Sequence, residues 1–126
     1  MYRAYGLLQA ASDFTLDDAA ARLKGRFPDY SVERAGNQIT VLKNDWEIFL
    51  VENADPSVLV ESAELAEKIA GVEDGAEIAA CVRRVEVSSD IPDPMMEHFN
   101  DFLIVIEVLQ SFRGMIAIDP KEPALM

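Results

Sequence analysis

The stretch YSVERAGNQITVLKNDWEIFLVE, residues 30–52, constrains the fold more than any other part of the chain. Two β-rich runs flank the turn Ala35-Gly36-Asn37, and a third run follows the turn signal Asn44-Asp45. Side chains of a strand point alternately to opposite faces. Ile39 and Val41, with Lys43, therefore share one side, and Thr40 and Leu42 the other. In the third run Trp46, Ile48 and Leu50 lie on one face, with Glu47, Phe49 and Val51 opposite. This pattern predicts a three-strand antiparallel meander, with Trp46 as a packing residue at the end of the sheet.

The flanking segments supply helices. YRAYGLLQ reads as a strand, and Thr15 then caps a helix in FTLDDAAARLKGRF, with Asp18 three residues on as a weak capping box. Leu16, Ala19, Ala20, Leu23 and Phe27 fall on one face of that helix, and Gly25 and Pro28 close it. A second helix is expected in ADPSVLVESAELAEKIAG, with Pro56 in its first turn and Gly71 as its stop. Its apolar stripe is Val58, Leu59, Leu65, Ala66 and Ile69, and Glu64 and Lys68 form an i,i+4 pair. VEDGAE reads as a turn and IAACVRRVEVSS as a strand, with Cys81 in mid-strand. After a third helix the chain closes with the strand MIAID and a mobile tail over 120–126.

The element order is thus β-α-β-β-β-α-β-α-β, in a single domain spanning 1–126. The expected class is α+β: a two-layer sandwich with a mostly antiparallel sheet and helices on one face. Two β-α-β passages leave room for parallel crossovers.

Charge narrows the partners. Eleven Lys and Arg stand against 23 Asp and Glu, a formal net charge of −12. Such a field repels phosphate backbones and anionic lipid, so nucleic acid and membranes are not expected as partners, whereas a basic protein would be attracted. The longest apolar run outside the N-terminus, FLIVI, falls far short of the ~18–20 residues that span a bilayer. One cysteine allows no intramolecular disulfide, and the N-terminus makes a poor signal peptide. A cytoplasmic location is the expectation.

One stretch resembles chemistry. DPMMEHFNDFLIVIEVLQSF contains the only histidine, His98. Asp93 and Pro94 read as N-cap and first residue of a helix of about 20 residues ending at Gly114. On it Met95, Phe99, Phe102, Leu103, Ile106 and Leu109 form an apolar face, with His98 at its margin. Asp101, three residues on, can orient His98, whereas Glu97 points roughly 100° away around the helix. A lone i,i+3 pair is not a metal site, and no metal or cofactor is expected. His98 and Asp101 remain weak catalytic candidates.

The same wheel places Ile104 and Val108 on the polar side, with Phe112 at its margin. A surface helix does not need them there. Either another element such as the C-terminal tail covers them, or they meet another chain, a second copy included. Glu61 and Glu64 belong to an acidic region that includes Glu67, Glu73 and Glu77. These five residues, Ile104, Val108, Phe112, Glu61 and Glu64, are the candidate binding residues.

Elsewhere the sequence is plain. Cys81 has no adjacent base, Ser88, Ser89 and Ser111 lack a Gly-x-Ser-x-Gly setting, and no glycine-rich phosphate cradle is present. Glu86, Asp90, Asp93 and Glu97 do not have the spacing of a Ca²⁺ loop. Three readings follow. The first is a non-enzymatic acidic module of inhibitor, immunity or chaperone type, binding a basic protein. The second is a small-molecule enzyme or sensor with a sheet–helix pocket using His98 and Asp101. The third is a structural homo-oligomer formed through the third helix.

Overall fold

The computed structural model of the chain describes residues 2–69 and 75–126. Among them, strands β1 (Tyr2–Leu8), β2 (Ser31–Ala35), β3 (Gln38–Lys43), β4 (Trp46–Asn53), β5 (Arg83–Ser89), β6 (Met115–Asp119) and β7 (Ala124–Leu125) form one sheet. Its order is β2-β3-β4-β5-β1-β6-β7 and every pairing is antiparallel. The helices are α1 (Leu16–Arg26), α2 (Ser57–Lys68), α3 (Gly75–Ala79) and α4 (Phe99–Gln110). The protein is therefore mixed α+β.

The meander forms as the alternation predicts. Val41 lies opposite Val32 and Ile48, and Ile39 opposite Leu50, all facing one core. Its turns pass through Gly36 at φ +60° and Asn44 at φ +56°, the left-handed region that glycine and asparagine tolerate best. No parallel pair results from the crossovers. Strands β5 and β6 do run the same way, but β1 is inserted between them.

Helices cover both faces of the sheet rather than one. Ala4 and Leu8 join the core beneath α1 and α4, whereas Leu7 joins Leu65, Ile69, Ile78 and Ile118 beneath α2 and α3. Adjacent buried Leu7 and Leu8 point to opposite faces, so β1 needs cover on both sides.

Helix α1 matches its expected bounds. The Thr15 Oγ1 accepts the Asp18 N–H, and Leu16, Ala19, Ala20, Leu23 and Phe27 are all buried. In α2 the inner line is Val58, Ser62, Leu65 and Ile69, spaced by three and four. Leu59, a quarter-turn away, is 46% exposed instead of forming part of the stripe. Gly71, Glu73 and the start of the VEDGAE turn lie outside the described residues.

Three further segments depart from expectation. The strand placed over 78–89 starts only at Arg83, because Gly75–Ala79 form the short α3 and Cys81 lies in the turn between them. Its thiol is buried, and burial with the nearby Glu77 carboxylate pushes its pKa up. The third helix starts at Phe99, five residues later than predicted. Met96 takes φ +54°, which no helix continues through, and the Asp93 carboxylate accepts N–H groups of Glu97 and His98 instead of capping a helix at Pro94. Finally, the expected mobile tail turns back: Leu125 and Ala124 pair with Ile118 and Asp119, and the Met126 N–H donates to Ala117 O.

Gly114 closes the turn after α4 at φ +71°, where an added Cβ would stand 2.9 Å from Ser12 Cα. Gly114→Ala should cost more than about 1 kcal/mol. Gly25→Ala, in a helix with open space around it, should stabilise by up to about 1 kcal/mol. Urea unfolding of both variants checks the pair; equal midpoints would contradict the turn geometry.

Candidate functional site

The loop between β5 and α4, residues 91–98, lies at the end of the sheet beside Tyr2 and Trp46. Asp93 is its hub. The Asp93 Oδ2 accepts the Tyr2 hydroxyl at 2.6 Å and the His98 N–H at 2.9 Å, and Oδ1 accepts the Glu97 N–H at 3.0 Å. Burial opposes charge on this carboxyl, but the three donors prevail and hold its pKa below the usual carboxylate range. Across the bond, burial and then Asp93 itself push Tyr2 up to about 12.

His98 and Asp101, the pair expected from i,i+3 spacing, are brought together. The His98 Nδ1 lies 2.9 Å from Asp101 Oδ2. The same oxygen accepts the Tyr30 hydroxyl at 2.6 Å, and burial followed by Asp101 raises the Tyr30 pKa. The imidazole stacks on the Trp46 indole, with centroids 4.3 Å apart and planes 8° from parallel. Trp46 is only 2% exposed, and its buried indole N–H has no partner among the described residues.

Beside this stack is a cleft of about 220 Å³, lined by Asp45, Trp46, Ile91, Pro92, Asp93, Pro94, Met95, Glu97 and His98. The lining holds three carboxylates and no Lys or Arg. It also holds no hydroxyl or thiol that His98 could activate. Among the described residues no group of three or more His, Cys, Asp and Glu is placed to hold a metal ion. None of their helices is long and apolar enough to cross a membrane.

The other candidate residues lie apart from this cleft. Val108 and Phe112 are buried, and Ile104 is half-buried against the same core. Beside them α1 packs on α4: Arg26 pairs with Glu107 at 2.8 Å, and Arg22 bonds Ser111 and lies 3.7 Å over the Phe112 ring. Glu61 and Glu64 lie on the opposite side of the sheet. There Glu61 holds Arg84 Nη2 at 3.1 Å, and both line a hollow of about 150 Å³ with Tyr5, Lys68 and Pro120. Tyr2 and Tyr30 are not among the candidates the sequence offers, and Asp93 enters there only as a helix N-cap and one of four loop carboxylates. Tyr2 and Asp93 meet across 91 residues, and no local signal announces such a contact.

Compared with known families, curated proteins and solved structures, the chain matches none.

Because the Asp93 pKa is depressed in the folded state, its contribution is complete above the unfolded value and lost as pH falls through the folded one. Amide protection at Glu97 and His98 should therefore fall in acid, below the ordinary carboxylate range, while protection at Leu50 and Val87 persists. Asp93→Ala should show the same local loss at neutral pH. Hydrogen exchange corrected for intrinsic rates reads both, and unchanged protection in the variant would contradict the hub.

Proposed function

We propose that this protein is a non-enzymatic acidic binding module, of inhibitor, immunity or chaperone type, acting on a basic protein partner. The observation that carries the reading is how the chain uses its cations. Six of its seven arginines, Arg3, Arg26, Arg34, Arg83, Arg84 and Arg113, are ion-paired to carboxylates of the same chain. The seventh, Arg22, lies over Phe112. With 23 carboxylates against 11 cations, the excess negative charge is left to the surface. Fields of this kind steer oppositely charged partners and exclude like-charged ones, which favours a basic protein over nucleic acid or anionic membrane. A cytoplasmic setting accords with the single cysteine.

The steering term has a direct signature. The Debye length shrinks from about 30 Å at 0.01 M salt to about 3 Å at 1 M. Association with basic proteins should slow by about tenfold or more across that range. Pull-down and stopped-flow binding at the two salt concentrations test it, and capture that is indifferent to salt would contradict the reading.

A second reading, a small-molecule enzyme or sensor, is favoured by the His98–Asp101 contact beside the cleft. His98→Gln discriminates: if any activity or ligand response found in the wild type survives unchanged, that reading fails. Oligomerisation through α4 is a third reading, and it would have to use residues other than Val108 and Phe112, which are buried within the chain.

A further inference from the structure

The loop at 91–98 forms a ridge between two hollows of unlike character. On one side is the acidic cleft with Asp45 and Glu97. On the other is a hollow of about 390 Å³ lined by Tyr2, Pro92, Asp93, Pro94 and Met96. Both share Pro92, Asp93 and Pro94 as their common wall.

The ridge carries the two most water-exposed methionines of the described residues, Met95 at 78% and Met96 at 58%. Their exposure does not come from slack chain. Asp93 accepts three hydrogen bonds, two prolines restrict the backbone, and Met96 is kept at φ +54°, a conformation unusual for a methionine. Backbone held in a sparsely populated region persists where the surroundings over-determine it, and it clusters at binding sites. A pre-organised loop also loses less entropy on binding. Methionine is polarizable and adapts its shape to an apolar partner.

We propose that this ridge docks a partner segment that carries an apolar and a basic side chain next to each other. The apolar side chain enters the hollow of Tyr2, Pro92, Pro94 and Met96, while the Lys or Arg side chain enters the cleft beside Asp45 and Glu97. The proposal rests on the basic-partner reading and adds the surface and the motif to it. Charge complementarity selects this occupant. The cleft holds three carboxylates and no Lys or Arg in its lining, and a second copy of the chain would bring another −12 of charge to the same place.

The test uses the full chain and a short synthetic peptide of alternating Lys and Leu, with Lys/Ser and Glu/Leu peptides as controls. Trp46 is the only tryptophan and lines the cleft, so its emission reports occupancy. The Lys/Leu peptide should bind wild type more tightly than either control and shift that emission. Asp45→Asn with Glu97→Gln should weaken it about tenfold or more and flatten its salt dependence. Met95→Ser with Met96→Asn, the latter tolerant of positive φ, should weaken it similarly while leaving the salt dependence in place. All four side chains are exposed, and thermal melts confirm that each variant folds.

Salt-sensitive binding that both double variants retain would overturn the ridge and leave the basic-partner reading standing. Equal binding of the Lys/Ser and Lys/Leu peptides would overturn the apolar half of the motif. No binding of any cationic peptide to wild type would overturn both.

Discussion

Strand β1 is the constraint on which the other elements depend. It pairs with β5 along its whole length and with β6 on its other edge. Its alternation divides the interior, with Ala4 and Leu8 on one face and Leu7 on the other. A strand buried on both sides cannot be supported by helices on one face, so α1 and α4 close one core while α2 and α3 close the second. The same strand begins with Tyr2, whose ring stacks on Phe102 at 5.2 Å and whose hydroxyl reaches Asp93. This inner strand thereby fixes the position of the loop that leads into α4.

From that attachment the character of the surface follows. Asp93 gathers Tyr2, Glu97 and His98, and Asp101 gathers His98 and Tyr30, so two carboxylates tie the sheet, the loop and the first turn of α4 together. Charge-assisted hydrogen bonds of this kind are stronger than neutral ones. In the loop so tied, Met95 and Met96 are exposed to water. In this setting His98 stacks on Trp46 and bonds Asp101, at the rim of a cleft lined by three carboxylates.

Much of the fold was readable in the residues. Alternation over residues 38–51 placed the meander strands and named Ile39, Val41, Trp46, Ile48 and Leu50 as core, and Thr15 marked the start of α1 within one residue. The misreadings share a cause: local pattern was overridden by contacts distant in sequence. Asp93-Pro94 has the form of a helix start, yet the Tyr2 hydroxyl and the left-handed Met96 make it a turn. IAAC has strand composition, yet Ile78 is needed in the second core and is delivered by a short helix. For the site, the i,i+3 spacing correctly paired His98 with Asp101. The helical wheel put Ile104 and Val108 on the polar side and Phe112 at its margin, but it could not show that Val108 and Phe112 would be buried, or that Arg22 of α1, some ninety residues earlier in the chain, would lie over Phe112. Leu7 beside Leu8 was one sign of two-sided burial, and Phe49 and Val51 opposite Trp46, Ile48 and Leu50 were another.

The central claim is that the ridge at 91–98 exists ready-formed in the free protein. Backbone ¹⁵N relaxation of the amides at residues 93, 95, 96, 97 and 98 tests it most directly. Order parameters near 0.85, like those of β1 and β5, are what a loop tied to Asp93 and Tyr2 should give. Values below about 0.6 would mean a flexible loop with no fixed hollows, and would contradict the account.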